Sequence, residues 1–169
     1  FKVTTGSRYL GGYIGSRVDR ELWVQEKVAF WTSAVKVNDL AFTALSHPQT
    51  AFAGLQKLLQ HKWQFVQRVV DNIGDCFLEL EDAIANIFLP ALFRDSLDNC
   101  DYRRNLAALP VKFAGLNLPD PTATSDANFE ASTLVCSQIL AAFRGVEPFR
   151  SWEHKSVRTA VTAELAERK

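Results

Sequence analysis

The stretch that decides the fold is PQTAFAGLQKLLQHKWQFVQRVV, residues 48–70. Its apolar residues return every three or four positions, which is the period of an amphipathic helix, and Pro48 suits a first helical turn. We predict one continuous helix with Trp63 buried. The predicted buried face comprises Phe52, Leu55, Leu58, Leu59, Trp63, Val66, Val69 and Val70. The predicted solvent face comprises Lys57, Gln60, His61, Gln64, Gln67 and Arg68.

The residues before this helix predict a hairpin and a longer helix. Residues 1–5 and 8–15 fit two short strands around a turn at Gly6-Ser7. From Asp19, a candidate N-cap, the period changes to that of a helix over roughly 20–45. Its predicted apolar face comprises Trp23, Val24, Val28, Trp31, Val35, Phe42 and Leu45.

The residues after it predict three more helices. Gly74 is the expected C-terminal cap of helix 48–70, and a helix over about 75–88 should carry its acids, Glu79, Glu81 and Asp82, in solvent. Pro90 should kink or restart that helix. A polar connector at 94–102 and an irregular segment at 109–121 should follow. Helices at 126–143, closed by Gly145, and at 151–167 complete the prediction.

The predicted fold is therefore mostly α, with an N-terminal β-hairpin stub followed by a bundle of about five helices. The apolar face of helix 126–143 should comprise Phe129, Val135, Cys136, Ile139, Leu140 and Phe143. A length of 169 residues fits one domain, and because Met is absent we expect the sequence to be a fragment of a longer polypeptide.

Composition bounds the compartment and the partners. No apolar run approaches the roughly 18 residues that a membrane span needs. The cysteines Cys76, Cys100 and Cys136 are odd in number and widely spaced, which predicts free thiols and an intracellular location, nucleus or cytoplasm. The formal net charge is zero, but residues 40–70 contain three basic residues and no acid, whereas residues 71–101 contain eight acids and Arg94. We expect a local cationic strip and not a wholly basic surface.

The sequence lacks the residue patterns of catalytic and metal sites. Its cysteines and histidines do not have the short spacings that bring two ligands to one ion. The glycines at 11–15 lack the spacing of a phosphate-binding loop, and no residues are placed to activate Ser7. We therefore predict no catalytic residue, no metal site and no cofactor in this chain.

The acid-free face of helix 48–70 has two interpretations. Amide and cationic side chains on one helix face suit contacts with phosphates or with the shallow groove of a nucleic-acid duplex. The alternative is an ordinary solvated surface helix.

Three segments, in this order, resemble parts of the reverse transcriptases of LINE-like retrotransposons. RYLGGYIG, residues 8–15, resembles the strand with a YLG motif that follows the catalytic palm. PQTAF at 48–52 and KWQFVQR at 62–68 resemble the helix after it. LPVKFAGLNLPDP, residues 109–121, is similar to a downstream LP.K.GGLGLPDP segment, with Ala114 in place of the first glycine.

The resemblance implies a thumb and post-thumb region of an RNA-directed DNA polymerase. It divides the chain into the end of a palm-like region at 1–15, a thumb-like bundle at 16–100 and a post-thumb connection with two further helices at 101–169. The implied partners are an RNA–DNA or DNA template–primer duplex and the upstream palm and fingers of the same polypeptide. Together with the acid-free face, the resemblance gives the candidate nucleic-acid-binding residues Tyr9, Gly11, Gly12, Lys57, Gln60, His61, Gln64, Arg68 and Lys112.

The metal-binding aspartates of such polymerases lie in a [YF]xDD hairpin, and this sequence contains no Asp-Asp pair. Two-metal catalysis needs those carboxylates. Mg²⁺ therefore belongs, by resemblance, to the parent polymerase, and this chain is expected to position nucleic acid without catalysing alone. The rival interpretations are a helical protein-interaction or scaffold domain and a small helical nucleic-acid-binding adaptor.

Overall fold

The computed structural model describes residues 4–36, 40–94 and 100–167, and it confirms the mostly α fold with an N-terminal antiparallel hairpin. The strands are β1 (Gly6–Tyr9) and β2 (Gly12–Gly15). The helices are α1 (Arg17–Lys36), α2 (Leu40–Ser46), α3 (Pro48–Ala53), α4 (Gln60–Val69), α5 (Leu78–Ala83), α6 (Leu89–Phe93), α7 (Cys100–Ala108), α8 (Pro121–Phe143) and α9 (Ser151–Glu167).

The hairpin turns at Leu10-Gly11, so the predicted turn at Gly6-Ser7 is wrong. Leu10 and Gly11 have φ values of 46° and 84°, and two successive positive φ values are what a two-residue type I′ turn requires. Gly6 pairs with Gly15, and Tyr9 pairs with Gly12. Gly6 also lies beneath the Tyr13 ring, where a Cβ would come within 2.5 Å of it. Gly6 is therefore a strand residue that makes room for an aromatic ring.

Helix α1 begins three residues before the predicted start, with Asp19 inside it. The backbone N–H of Asp19 donates to Ser16 Oγ at 3.2 Å, and Ser16 Oγ donates to Asp19 Oδ2 at 2.7 Å. Ser16 is therefore the N-terminal capping residue in an arrangement close to a capping box. Hydrogen bonds from Thr5 and Ser16 hold the pKa of Asp19 below its usual value.

The predicted apolar face of helix 20–45 is correct only in its first part. Trp23, Val24, Val28, Trp31 and Val35 are buried in α1. In α2, Phe42 and Leu45 are exposed, and Ala41 and Ala44 are buried in their place. Residues 37–39, at the middle of the predicted helix, lie outside the described residues. One helical phase therefore does not extend from α1 into α2.

The backbone from Pro48 to Val69 is helical throughout, as predicted, and Trp63 is buried. A π-helical segment, Gly54–Leu59, separates α3 from α4, and the N–H of Gln60 donates to the carbonyl of Leu55. Four residues make slightly more than one turn of an α-helix, so residues four apart drift around its axis. The wider π turn reduces this drift and keeps such residues on one face. The aligned residues are Ala51, Leu55, Leu59 and Trp63, all buried. Leu58 and Val69, predicted to be buried, are exposed.

Helix α4 ends without a glycine cap. Val70 is already extended, Asn72 takes φ 52°, and Gly74 opens a 3₁₀ turn, Gly74–Phe77, so the predicted role of Gly74 is wrong. A Cβ at Gly74 would lie 3.1 Å from the carbonyl oxygen of Thr122. Gly74 therefore allows the close approach of α8.

The next helical run passes through Pro90. A π-helical segment, Ile84–Phe88, joins α5 to α6, and the N–H of Leu89 donates to the carbonyl of Ile84. The π turn ends at Phe88, two residues before Pro90, which has no N–H to donate. The prediction that Glu81 of α5 lies in solvent is wrong. Arg104 of α7 forms a bidentate pair with both of its carboxylate oxygens and donates from Nη1 to the carbonyl of Leu118 at 2.7 Å.

Helix α7 occupies part of the predicted connector 94–102, so that prediction is wrong from residue 100 onward; residues 95–99 lie outside the described part. The segment 109–121 is irregular, as predicted, with a short 3₁₀ turn at Val111–Phe113. Its ends meet through hydrogen bonds from Asn117 N to Leu109 O and from Leu118 N to Ala107 O. A Cβ at Gly115 would lie 2.1 Å from the carbonyl oxygen of Leu109, so the position admits only glycine.

Helix α8 begins at Pro121, five residues before the predicted start. The carboxylate of Asp120 caps it by accepting from the N–H groups of Thr122 and Ala123. Gly145 closes the helix as predicted, with φ 69° and the paired bonds of a Schellman motif from Gly145 N to Ala142 O and from Val146 N to Ala141 O.

The predicted apolar face of α8 is wrong. Leu140 and Phe143 are exposed, as is Cys136, and the buried positions are Pro121, Ser125, Asn128 and Ala131. These small and polar residues allow α8 to lie close to α4.

One cluster of buried residues spans helices α1 to α7 and the segment after α7. Ala107 and Leu118 belong to the same cluster as Trp31, Trp63 and Phe77. The boundary drawn at residue 100 therefore does not divide two cores. Among the described residues, no helix combines the length and the apolar character that crossing a membrane requires.

Candidate nucleic-acid interface

A groove of about 710 Å³ lies between the hairpin and helices α1 and α4. The turn glycine Gly11 and the side chain of Arg8 border it on the hairpin side. Helix α1 contributes Trp23, Glu26, Lys27, Phe30 and Trp31 to its lining, and α4 contributes His61, Lys62, Phe65 and Val66. The groove has the size of a pocket for a small organic ligand.

The aromatic rings that line this groove differ in their exposure. Phe30 is 67% exposed and Phe65 is 44% exposed, whereas Trp23 and Trp31 are buried. Tyr13 of β2 stacks on Trp23 with the ring centroids 5.9 Å apart, which ties the hairpin to α1. Two accessible rings above a packed aromatic base provide flat surfaces for a planar ligand.

The charged residues of the groove are mostly basic. Arg8, Lys27 and Lys62 come from three elements, and Glu26 is the acid among the described residues that line it. The Arg8 and Glu26 side chains are exposed and 4.0 Å apart, so their attraction is weak. The Lys27 ammonium lies 6.0 Å from the centroid of the Trp23 ring. The groove therefore combines positive charge with accessible aromatic surface.

A second cleft of about 320 Å³ lies where α4 meets α8 and α9. Arg68 of α4 and Arg158 of α9 both line it, and no acid is among its described lining residues. Ser132 of α8 and Thr162 of α9 add hydroxyl groups. Since His61, Lys62 and Phe65 line the groove and Arg68 lines this cleft, the exposed face of α4 connects the two.

The structure separates the predicted site residues on α4 and on the π segment. His61 lies in the groove, Arg68 lies in the second cleft, and Lys57 is exposed outside the residues that line either one. Gln64 is half-buried. Gln60 is only 4% exposed, so its predicted place on a common exposed face with Lys57, Gln64 and Arg68 is wrong.

The amide side chains of this helix hold the 109–121 segment, and this explains the burial of Gln60. Gln56 donates to the carbonyl of Leu116 at 3.0 Å, Gln60 donates to that of Asn117 at a long 3.5 Å, and Gln67 donates to that of Pro121 at 2.7 Å. An irregular segment exposes backbone carbonyls that must be satisfied when they are buried. The glutamines therefore have an internal structural role.

Of the predicted hairpin residues, Gly11 lines the groove, and Tyr9 and Gly12 are not among its described lining residues. Tyr9 is 64% exposed at the end of β1. A Cβ at Gly11 would come within 2.9 Å of the Phe65 ring, and one at Gly12 would lie 3.4 Å from a Val69 methyl carbon. The close approach that glycine permits is thus made to side chains of α4.

Lys112 lies apart from both concave surfaces. It is exposed, and its ammonium lies 4.8 Å from the centroid of the neighbouring Phe113 ring. Lys112 is not among the described residues that line the groove or the second cleft.

Sequence reasoning missed several residues of the two concave surfaces. Arg8, Lys27, Phe30, Lys62 and Phe65 line the groove, and Arg158 lines the cleft. The available signal was an aromatic residue outside the apolar face of its helix and three residues after a lysine, which places the two on neighbouring positions of the helix surface. Phe30 in α1 and Phe65 in α4 both meet that description.

Within the described ranges, no group of three or more His, Cys, Asp or Glu side chains is arranged to hold a metal ion. Cys76 and Cys136 are free thiols, and burial raises the pKa of the Cys76 thiol, with smaller contributions from Glu21 and Asp75. No protein-family model matches the chain, and neither a curated protein nor a solved structure was found to be similar to it. What the interface can do therefore has to be argued from its own residues.

Proposed function

We propose that this chain positions a nucleic-acid duplex, as the thumb-like part of an RNA-directed DNA polymerase of the LINE-like retrotransposon type, and is non-catalytic alone. The observation that carries the proposal is the exposed, acid-free face of α4 with Lys62 and Arg68, together with the cleft in which Arg68 is joined by Arg158 of α9. The duplex would be an RNA–DNA or DNA template–primer, and the location would be intracellular. The upstream palm and fingers of the parent chain would be its partners.

The charges along this face suit phosphates better than bases. Lys62 and Arg68 lie on α4 about 9 Å apart along its axis, at the rise of an α-helix. Arg158 of α9 lines the same cleft as Arg68, so two helices contribute cations there. Contacts of this kind fix a duplex by charge and shape and carry no sequence information. We therefore expect binding without sequence preference.

In this proposal the polymerase chemistry lies outside the chain. The Mg²⁺ ions of the parent enzyme would be held by the carboxylates of its catalytic hairpin, and the described residues of this chain provide no such group. Tyr9, Gly11 and Gly12 of the hairpin would lie toward the primer strand. This chain would then act by orienting the duplex and not by bond formation.

Titration of a labelled RNA–DNA hybrid at low salt tests the proposal. We expect weak binding by the wild type, and no binding after Lys62→Glu with Arg68→Glu. The matched control is Arg144→Glu with Arg150→Glu, because both side chains are exposed and lie outside the residues that line the groove and the cleft. Arg158 cannot serve as a control, since it shares the cleft with Arg68. Absence of wild-type binding at high micromolar concentration, or equal loss in both double variants, would refute the proposal.

A helical protein-interaction or scaffold domain is the second candidate. The observation that favours it is the exposure of Phe42 and Leu45, at 69% and 51%, on α2. Exposed large apolar side chains on one short helix suit a protein partner. This candidate predicts that the hybrid does not bind and that charge reversal on α4 has no effect on association with a protein.

A further inference from the structure

We infer that the groove between the hairpin, α1 and α4 binds an unpaired nucleotide that extends from the end of the duplex. The inference rests on the proposed function and adds a second class of ligand contact to it. The duplex would lie along the exposed cations of α4, while one base of the strand that continues beyond it would enter the groove. The groove, Phe30 and Lys27 are not needed to explain duplex binding.

The aromatic residues argue for a base. Phe30 on α1 and Phe65 on α4 face one concavity from two helices, and both rings are accessible. Every nucleobase offers a flat face for stacking, so such a site tolerates any base. Phe65 is held in place from the hairpin side, where Gly11 leaves room for its ring. Because Phe65 packs against the hairpin, its ring loses little side-chain freedom when a base stacks on it.

The charges argue for a base that carries a phosphate. Three cations from three different elements line the groove: Arg8, Lys27 and Lys62. Glu26 is the acid among the described residues that line it. A neutral aromatic ligand would leave these cations without a counter-charge, and an acidic peptide without aromatic side chains would leave the rings without a stacking partner. A nucleotide uses both features. The volume of about 710 Å³ fits a ligand of this size and not a length of duplex.

Three hybrid probes separate stacking from charge. The first is blunt, the second has a short unpaired overhang, and the third has the same overhang made of abasic nucleotides, which keeps the phosphates and removes the bases. We expect the overhang with bases to bind at least about fivefold more tightly than the abasic overhang, which is the lower end of base–aromatic stacking. The abasic overhang should exceed the blunt probe only slightly.

Phe30→Ala tests the platform, because Phe30 is exposed and its removal should leave the fold intact. It should abolish the difference between the normal and the abasic overhang and leave affinity for the blunt hybrid unchanged. Phe42→Ala is the matched control, since Phe42 is equally exposed, at 69%, and lies outside the groove lining. Phe30→Trp should restore the preference, because a larger ring stacks at least as well.

The outcomes distinguish failure of the groove inference from failure of the duplex proposal. Binding of the blunt hybrid with no added affinity for the overhang overturns the groove inference and leaves duplex binding standing. A preference for the overhang that depends on Phe30, without blunt binding, supports the groove and refutes the duplex proposal. Failure of all three probes refutes both. A preference that survives Phe30→Ala, or that Phe42→Ala removes equally, also overturns the inference.

Discussion

Asn128 of α8 donates a 2.8 Å hydrogen bond from Nδ2 to Oε1 of Gln67 in α4, and the two residues are 61 positions apart in the chain. Gln67 is fully buried, and Asn128 is 8% exposed. Nε2 of Gln67 in turn donates a hydrogen bond to the carbonyl of Pro121. This buried polar link fixes α8 against the helix that carries the candidate interface. Its strength therefore bears on both stability and site geometry.

Replacing either member of this link should destabilise the protein through the partner that is left behind. We expect Gln67→Leu or Asn128→Leu to cost about 1–3 kcal/mol, because a buried donor or acceptor loses its partner. The double variant should cost less than the sum of the two. Urea unfolding measures all three, with exposed Gln49→Leu as the control. Strict additivity would mean that the hydrogen bond contributes nothing.

Trp63 should be among the most sensitive core positions. Its side chain is 2% exposed, and truncation of a buried aromatic leaves a cavity, so Trp63→Ala should cost about 3–5 kcal/mol. Trp152→Ala is the matched control, because Trp152 is 68% exposed at the start of α9. It should change the free energy of unfolding by less than about 0.5 kcal/mol. A loss below about 1 kcal/mol at Trp63 would contradict its place in the core.

Loss of the ion pair between Arg104 and Glu81 should reduce stability more than loss of any other acid of α5. Both side chains are largely buried, and Arg104 also supports the carbonyl of Leu118. Glu81→Gln should cost on the order of 3 kcal/mol, since it leaves the guanidinium without its counter-charge. Glu79→Gln on the exposed side of the same helix is the control. Thermal unfolding of the two variants compares them, and equal shifts would refute the assignment.

The two described thiols should differ in reactivity. Burial raises the pKa of Cys76, so less of it is thiolate at neutral pH, whereas Cys136 is exposed. Because the thiolate is the nucleophile, the exposed Cys136 should react with iodoacetamide first, and the rate at Cys76 should rise with pH above neutrality as its thiolate forms. Mass spectrometry of a Cys100→Ser variant follows both sites. Faster alkylation at Cys76 would contradict its partial burial.

The sequence predicted elements whose evidence is local. The helical period placed the run from Pro48 to Val69, and Gly145 was identified as a helix terminator because its residue type alone suits a positive φ. It could not predict the π turn at Gly54–Leu59, within which Leu58, expected in the core, is exposed. Such a turn changes the phase of a helix without any distinctive residue type.

The candidate site depended on contacts that a linear pattern does not contain. The burial of Gln60 follows from carbonyls in the 116–121 segment, nearly sixty positions away. Phe30 of α1 and Phe65 of α4 line one groove only because the tertiary fold places both helices and the hairpin around the same concavity. His61 and Arg68 were predicted from an acid-free helix face, and both side chains are exposed in the structure, whereas Gln60 and Gln67 of the same predicted face are buried.

The salt dependence of hybrid binding should report how many phosphates the α4 face contacts. Lys62, Arg68 and Arg158 are the cations we assign to the blunt duplex, and each phosphate contact contributes a slope of about −0.9 in log affinity against log salt, so the total should be roughly −2 to −3. Arg68→Gln should make the slope shallower by about one contact. Arg144→Gln, which removes an exposed cation outside both concave surfaces, should leave it unchanged. A slope near zero, or an equal change in the two variants, would show that phosphates do not bind along this helix.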